Sequence, residues 1–156
     1  TLQIKPEFGL AGTSAGAHLA MMYDNVYDSQ NQVKFVIDIA GPTNFEDPFY
    51  ADTFPLGGIL WTLVDQSQYP TGTNFLNELS PINHVGNKTA PTAMFYGTDD
   101  PLVPATNAVD YQAKLNQHNI SNTLRIYTGG HGNDWSQQNY AEAWMIFGQY
   151  IDQYLP

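Results

Sequence analysis

The chain has 156 residues, 42% of them hydrophobic and 13% aromatic, which suits one globular domain with a sizeable core and excludes a disordered tail. Fifteen acidic against five basic residues leave a formal charge of −10, a field that repels phosphate backbones and anionic membranes and excludes nucleic acid as an expected partner. With no cysteine there is no disulfide, thiolate metal site or cysteine nucleophile, and no apolar run approaches the roughly 18 residues of a membrane span.

In chain order, the opening TLQIKPEF lacks the basic and apolar regions of a signal peptide. A surface rich in Asn, Gln, Thr and Ser is nevertheless a composition met in exported bacterial proteins. EFGLAG (7 to 12) is the first short apolar run ending in glycine and predicts a buried parallel strand. A helical pattern follows at about 15 to 28, then a second strand, VKFVIDIAG (33 to 41). Residues 42 to 83 are too long for a plain connection and are dense in Pro, Gly and aromatics, so they predict a partly helical, cap-like insertion over the strand ends, with GGILWTLVDQ as its best helix. The strand PTAMFYG (91 to 97), a helix at 104 to 119, the strand TLRIYTGG (123 to 130) and a helix at 134 to 154 complete the alternation. The last helix carries Tyr140, Trp144, Phe147, Ile151 and Tyr154 at spacings of three and four. The expected fold class is α/β: a mostly parallel sheet of about four strands flanked by helices, in one domain over residues 1 to 156.

The corner between the first strand and helix is Gly12, Thr13, Ser14, Ala15, Gly16, a Gly-x-Ser-x-Gly pattern. A serine hydroxyl is a weak nucleophile and must project where a base can reach it. A strained turn achieves this only if its neighbours are small. The backbone N–H of Ala15, at the helix start, would point at a developing oxyanion. Neither Gly-x-Gly-x-x-Gly nor a phosphate-loop lysine is present, so a dinucleotide or phosphate loop is a poor alternative.

A base and its orienter belong on loops beyond the carboxyl ends of strands. FYGTDDPLVP places Asp99 and Asp100 past the third strand, and YTGGHGNDW places His131 past the fourth, in the chain order Ser, Asp, His. Of the other histidines, His18 lies one helical turn after Ser14 on a side chain directed away from the hydroxyl, and His84 and His118 have no flanking site signals. In the insertion Phe45, Phe49, Tyr50, Phe54, Trp61 and Tyr69 offer substrate contacts, Phe49 and Trp61 foremost, or alternatively form the insertion's own small core. Trp135 either walls the pocket or begins the last helix, and the helix is the preferred reading.

Three segments together, GLAGTSAGAHLA, SPINHV…APTAMFYGTDDPLVP and GGHG, resemble an α/β-hydrolase of the carboxylesterase and lipase type, the group that includes acetyl-xylan-esterase-like and feruloyl-esterase-like enzymes. The resemblance covers essentially the whole chain. That group's Gly-x-x-Asp-x-x-Val-Pro pattern falls on Gly97, Asp100, Val103 and Pro104, so the resemblance implies Asp100 as the acid. It implies a serine esterase with Ser14 as nucleophile, His131 as base, Ala15 as one oxyanion donor, a small-molecule ester as substrate and no metal or organic cofactor. A peptidase of the prolyl-oligopeptidase type shares this module, and a non-catalytic fragment binding carbohydrate or a partner chain is the remaining alternative.

Members of that group carry about four further strands before the serine, and a His-Gly-Gly-like loop supplying a second oxyanion N–H. The resemblance therefore implies the C-terminal portion of a longer protein or a reduced domain. The first strand would have an open edge and exposed apolar faces. The expected cover is a preceding segment or a second copy of the chain.

Overall fold

The computed structural model describes residues 5–52, 62 and 64–156. Strand β1 (Phe8–Thr13) leads into helix α1 (Ala15–Met22), which widens into one π-helical turn over Tyr23–Tyr27. Asp28 closes the next loop, its carboxylate accepting the amides of Gln32 at 3.0 Å and Val33 at 2.7 Å, and β2 (Val33–Ile39) begins there. The following stretch holds two short helices, α2 (Pro48–Asp52) and α3 (Phe75–Glu78), with 3-10 turns at Gln66–Gln68 and Pro81–His84. Then come β3 (Thr92–Gly97), α4 (Ala105–Gln117), β4 (Asn122–Tyr127) and α5 (Gln137–Tyr154).

The four strands form one parallel sheet in the order β1-β2-β3-β4. Because all run the same way, the turns that follow them emerge along one edge, which gathers the loops carrying Ser14, Asp100 and His131. Alternation of side chains sends Val36, Met94 and Tyr96 to one face, against Met21 of α1 and Tyr111 and Leu115 of α4. Phe35, Ile37, Ala93 and Phe95 point to the other, under Ile146 and Tyr150 of α5. Each large side chain so enclosed contributes about 1.5–3 kcal/mol.

The structure departs from the expected pattern in three places. β1 and β4 are the outer strands of the described sheet and are half-exposed; the open side of β1 is the expected one, whereas β4 was expected to be buried. Beside β1 an apolar groove is lined by Phe8, Leu10, Leu19, Met22, Tyr23 and Tyr27, with Leu19 66% and Tyr27 63% exposed. On α5 the inward line is Ala143, Ile146, Phe147, Tyr150 and Tyr154, whereas Trp144 is 69% exposed and Ile151 is exposed. The two stripes differ by a small rotation of the helix, which periodicity does not resolve and the packing of Tyr150 on Phe35 does. Ser136 caps α5, accepting the Asn139 amide at 3.1 Å, so Trp135 lies outside the helix rather than at its start.

In the insertion, the predicted helix in GGILWTLVDQ lies mostly outside the described residues, as do Phe54 and Trp61. Phe45, Tyr50 and Phe75 are buried: Phe45 lies against His18 at 5.1 Å and Tyr50 at 6.0 Å, and Tyr69 meets Phe75 edge-on at 5.2 Å. These aromatics make a small core that ties the insertion to α1.

The two glycines flanking Ser14 have different tasks. A Cβ added at Gly12 would overlap the backbone of Gly16 and Ala17, while one at Gly16 meets nothing within 4 Å. Gly12→Ala is expected to lower stability by about 1–3 kcal/mol, the cost of forcing bulk into a packed contact. Gly16→Ala is expected to be neutral, or stabilising by up to about 1 kcal/mol through helix propensity. Urea unfolding of the two variants checks the contrast.

Candidate active site

Ser14 is the single residue between β1 and α1 and takes φ 54°, ψ −123°, a conformation that costs a non-glycine residue about 1–3 kcal/mol. Its amide donates to Ile39 O at 2.8 Å and its carbonyl accepts the His18 amide at 3.1 Å. Backbone bonds on both sides thus hold the strained residue in place. Ala15 is the first residue of α1, where an N–H has no intrahelical acceptor and faces out from the helix end.

The turn after β3 is organised by one carboxylate. Asp100 Oδ1 accepts the amides of Leu102 at 2.8 Å and Val103 at 3.0 Å, and Oδ2 accepts from His131 Nδ1 at 2.7 Å. The Asp100 side chain is fully enclosed, while that of His131 is 19% exposed. An Nδ1–H donated to a carboxylate leaves the Nε2 lone pair free to accept a proton. Asp99 does something else: it is exposed, and its carboxylate accepts only the neighbouring Thr98 hydroxyl at 2.7 Å.

The acid and histidine turns are joined through their backbones. Thr98 N donates to Tyr127 O at 2.8 Å and Asp99 N to Gly129 O at 2.9 Å. The approach is so close that a Cβ at Gly97 would overlap the carbonyls of Gly129 and Gly130. Asp134 takes the Gly130 amide at 2.8 Å, Gly130 O accepts Trp135 Nε1 at 3.1 Å, and Tyr140 holds Gly132 O at 3.2 Å. His131 therefore sits on a turn fixed from three directions.

A mainly apolar cavity of about 370 Å³ lies between the sheet face and α5, lined by Ile37, Phe95, Ala143 and Phe147 and touching also Thr13, Gly132 and Trp135, while neither Ser14 nor His131 lines it. The residues adjoining Ser14 and His131 thus share one cleft, and Trp135 is part of its wall. Among the described residues no hydrogen bond joins Ser14 Oγ to His131. Phe49, on α2, is half-buried and packs edge-on against Tyr50 at 5.6 Å, away from this cavity. His18 is spent structurally, its Nε2 on Leu79 O at 2.8 Å and burial pushing its pKa down; His84 binds Glu78 O at 2.7 Å, and His118 ends α4.

Several residues that shape the site escape the motif. Asn107 on α4 accepts the amides of Thr43 at 2.9 Å and Asn44 at 3.0 Å and donates to Asp47 at 3.0 Å, pinning the chain after β2. Asp38 and Tyr96, buried beneath the elbow, share a hydrogen bond of 2.7 Å. A carboxylate inside the apolar run VIDIAG was the available signal for Asp38.

The BD-FAE family model matches residues 2–115. The chain belongs to the BD-FAE family. The matched span contains Ser14 and Asp100 and stops before the histidine turn of this BD-FAE member. Solved structures extend the likeness over nearly the whole chain and share the α/β-hydrolase fold. Uncomplexed Pyrococcus horikoshii acylaminoacyl peptidase superposes with a TM-score of 0.76 at 17% identity, over 97% of this chain and 25% of that one. A thermophilic esterase from Thermogutta terrifontis with butyrate bound gives 0.67 at 20% identity, over 93% and 55%. An acetyl ester-xyloside bifunctional hydrolase from Caldicellulosiruptor lactoaceticus gives 0.63 at 21%, over 92% and 55%. The chain thus spans a quarter to just over half of the length of these structures. No curated protein matches it.

Asp100→Ala is expected to remove the low-field proton resonance of His131 Nδ1–H and to cost about 1–3 kcal/mol, because the buried amides of Leu102 and Val103 lose their acceptor. Proton NMR and thermal unfolding of the variant read both effects.

Proposed function

We propose that this domain is a serine hydrolase that cleaves carboxylic esters through an acyl-enzyme on Ser14. The observation that carries the reading is the 2.7 Å bond from His131 Nδ1 to the enclosed Asp100, on the same sheet edge as the strained Ser14. Ser14 Oγ attacks the ester carbonyl, and His131 Nε2 takes its proton and then delivers it to the departing alcohol. Asp100 keeps the imidazole in the correct tautomer and stabilises its charged form. Water repeats the sequence to release the acid. The Ala15 N–H faces the developing oxyanion as one donor. The hydrogen bond between Ser14 and His131 forms as substrate closes the site, since such bonds tighten in the complex.

The apolar cavity suits an uncharged acyl or alkyl group, and a net charge of −10 disfavours anionic substrates.

Amide cleavage is the second reading, compatible with the shared fold of the acylaminoacyl peptidase. A matched p-nitrophenyl ester and p-nitroanilide separate the two, the ester reading requiring the faster turnover on the ester. Ser14→Ala is expected to keep the fold, to lower kcat by on the order of 10⁶-fold and to abolish labelling by a fluorophosphonate probe. A folded wild-type chain that the probe fails to label would instead be a non-catalytic binder.

A further inference from the structure

Asp38 is fully buried in a parallel sheet, and no ion pair reaches it among the described residues. Its Oδ1 accepts the Gly41 amide at 2.8 Å. Its Oδ2 lies 2.7 Å from the hydroxyl of Tyr96, and that same hydroxyl is hydrogen-bonded to the Gly41 carbonyl. A phenol carries one proton, and a carbonyl oxygen only accepts. With Tyr96 donating to Gly41, the contact to Asp38 Oδ2 is attractive only if the carboxyl supplies a second proton. Two bare oxygens that close in a dry interior repel.

We propose that Asp38 is held as a neutral carboxylic acid donating from Oδ2 to Tyr96, and that this proton positions the turn at 39–41 on which the nucleophile elbow rests. Ile39 O receives the Ser14 amide at 2.8 Å. Ala40 sits at φ 51° with its amide on Phe95 O at 2.9 Å. Gly41 packs on Ala17 and Met21 of α1 with no room for a Cβ. Ionising Asp38 leaves the one Tyr96 proton to serve two acceptors, so either Asp38 Oδ2 or the Gly41 carbonyl loses its partner; this loosens the turn, and with it the amide bond that orients Ser14. Asp38 is thus a positioning residue acting through Ile39 and Gly41.

Burial pushes the Asp38 carboxyl up to about 7, outweighing the opposing hydrogen bond that its Oδ1 accepts from the Gly41 amide. The titratable groups facing it are Tyr96 from β3 and Tyr111 from α4, both pushed up by burial, while α1 presents Ala17 and Met21 to Gly41. Tyr50 lies near Tyr96 and is likewise raised by burial. A carboxyl whose folded pKa is raised favours the folded state fully below its unfolded value of 3.8, and that contribution disappears as pH rises to about 7.

Asp38→Asn is the test, because its amide reproduces the neutral acid: NH₂ donates to Tyr96 and C=O accepts from Gly41. The difference in Tm, variant minus wild type, is expected to grow from pH 4 to pH 7 and to level off above. Asp24, buried and also pushed up to about 7, is common to both proteins and cancels. A difference constant over that range overturns the proposal. Where the variant fails to fold, carbon-13 NMR of wild type labelled at the Asp carboxyl carbons decides. A protonated Asp38, assigned through its contact with the Tyr96 ring, persisting to about pH 6 supports the proposal, and titration near 4 overturns it.

The positioning role rests on the esterase reading and has its own readout: the ratio of kcat for Asp38→Asn over wild type rises above pH 7 while KM is unchanged. A flat ratio removes the positioning role. The Tm and NMR readouts need no turnover, so their failure leaves the esterase reading standing, and failure of the fluorophosphonate probe leaves the proton assignment standing.

Discussion

Three residues at the end of β2 hold the site together. Ile39 receives the amide of the nucleophile candidate, Ala40 ties the turn to β3 through Phe95 O, and Gly41 lets α1 settle against it. Gly132, next to the histidine, abuts Ile39 from the other side, where a Cβ would lie 3.4 Å from its side chain. A change in this turn would move the elbow, the first helix and the cleft wall together. It is also where the chain accepts an unfavourable backbone, Ala40 at φ 51° beside Ser14 at φ 54°. The two aromatic and aliphatic cores, one on each sheet face, supply the stability that tolerates such strain.

The site divides its work between backbone and side chain. Backbone hydrogen bonds and close glycine contacts bring the turns together: Gly12 under α1, Gly97 under the histidine turn, Asp99 N on Gly129 O. Side chains then set protons. Asp100 fixes the tautomer of His131 while using its second oxygen to shape its own loop. Precision in the first layer lets few side chains perform the second, which is why Asp134, Asn107 and Tyr140 matter without touching the reacting groups.

The strands, the three long helices and the neighbourhood of the serine, acid and histidine were legible in the sequence, because each rests on local rules. Short apolar runs ended by glycine make strands, and small residues permit a tight corner. The exposure of β4 was not legible: a run such as TLRIYTGG looks buried whether or not a neighbour covers it. Nor was the facing of α5, where Trp144 and Ala143 fit the same period. Trp135 was misplaced because the Ser136 cap, which starts α5, is decided by where the histidine turn delivers the chain.

By itself the sequence determined that a strained serine, a carboxylate and a histidine occupy the turns after the first, third and fourth strands of a parallel α/β sheet, since those assignments depend on contiguous residues. Only the tertiary structure decided that Gly12 rather than Gly16 is sterically required, and that Asp38 sets one carboxyl oxygen on the Gly41 amide and the other on the Tyr96 hydroxyl. The Asp38–Tyr96 contact joins segments distant in the chain, and the Gly12 contact depends on the angle at which α1 leaves β1. Distances of a few tenths of an ångström there follow from how the sheet and helices pack, and no local pattern contains them.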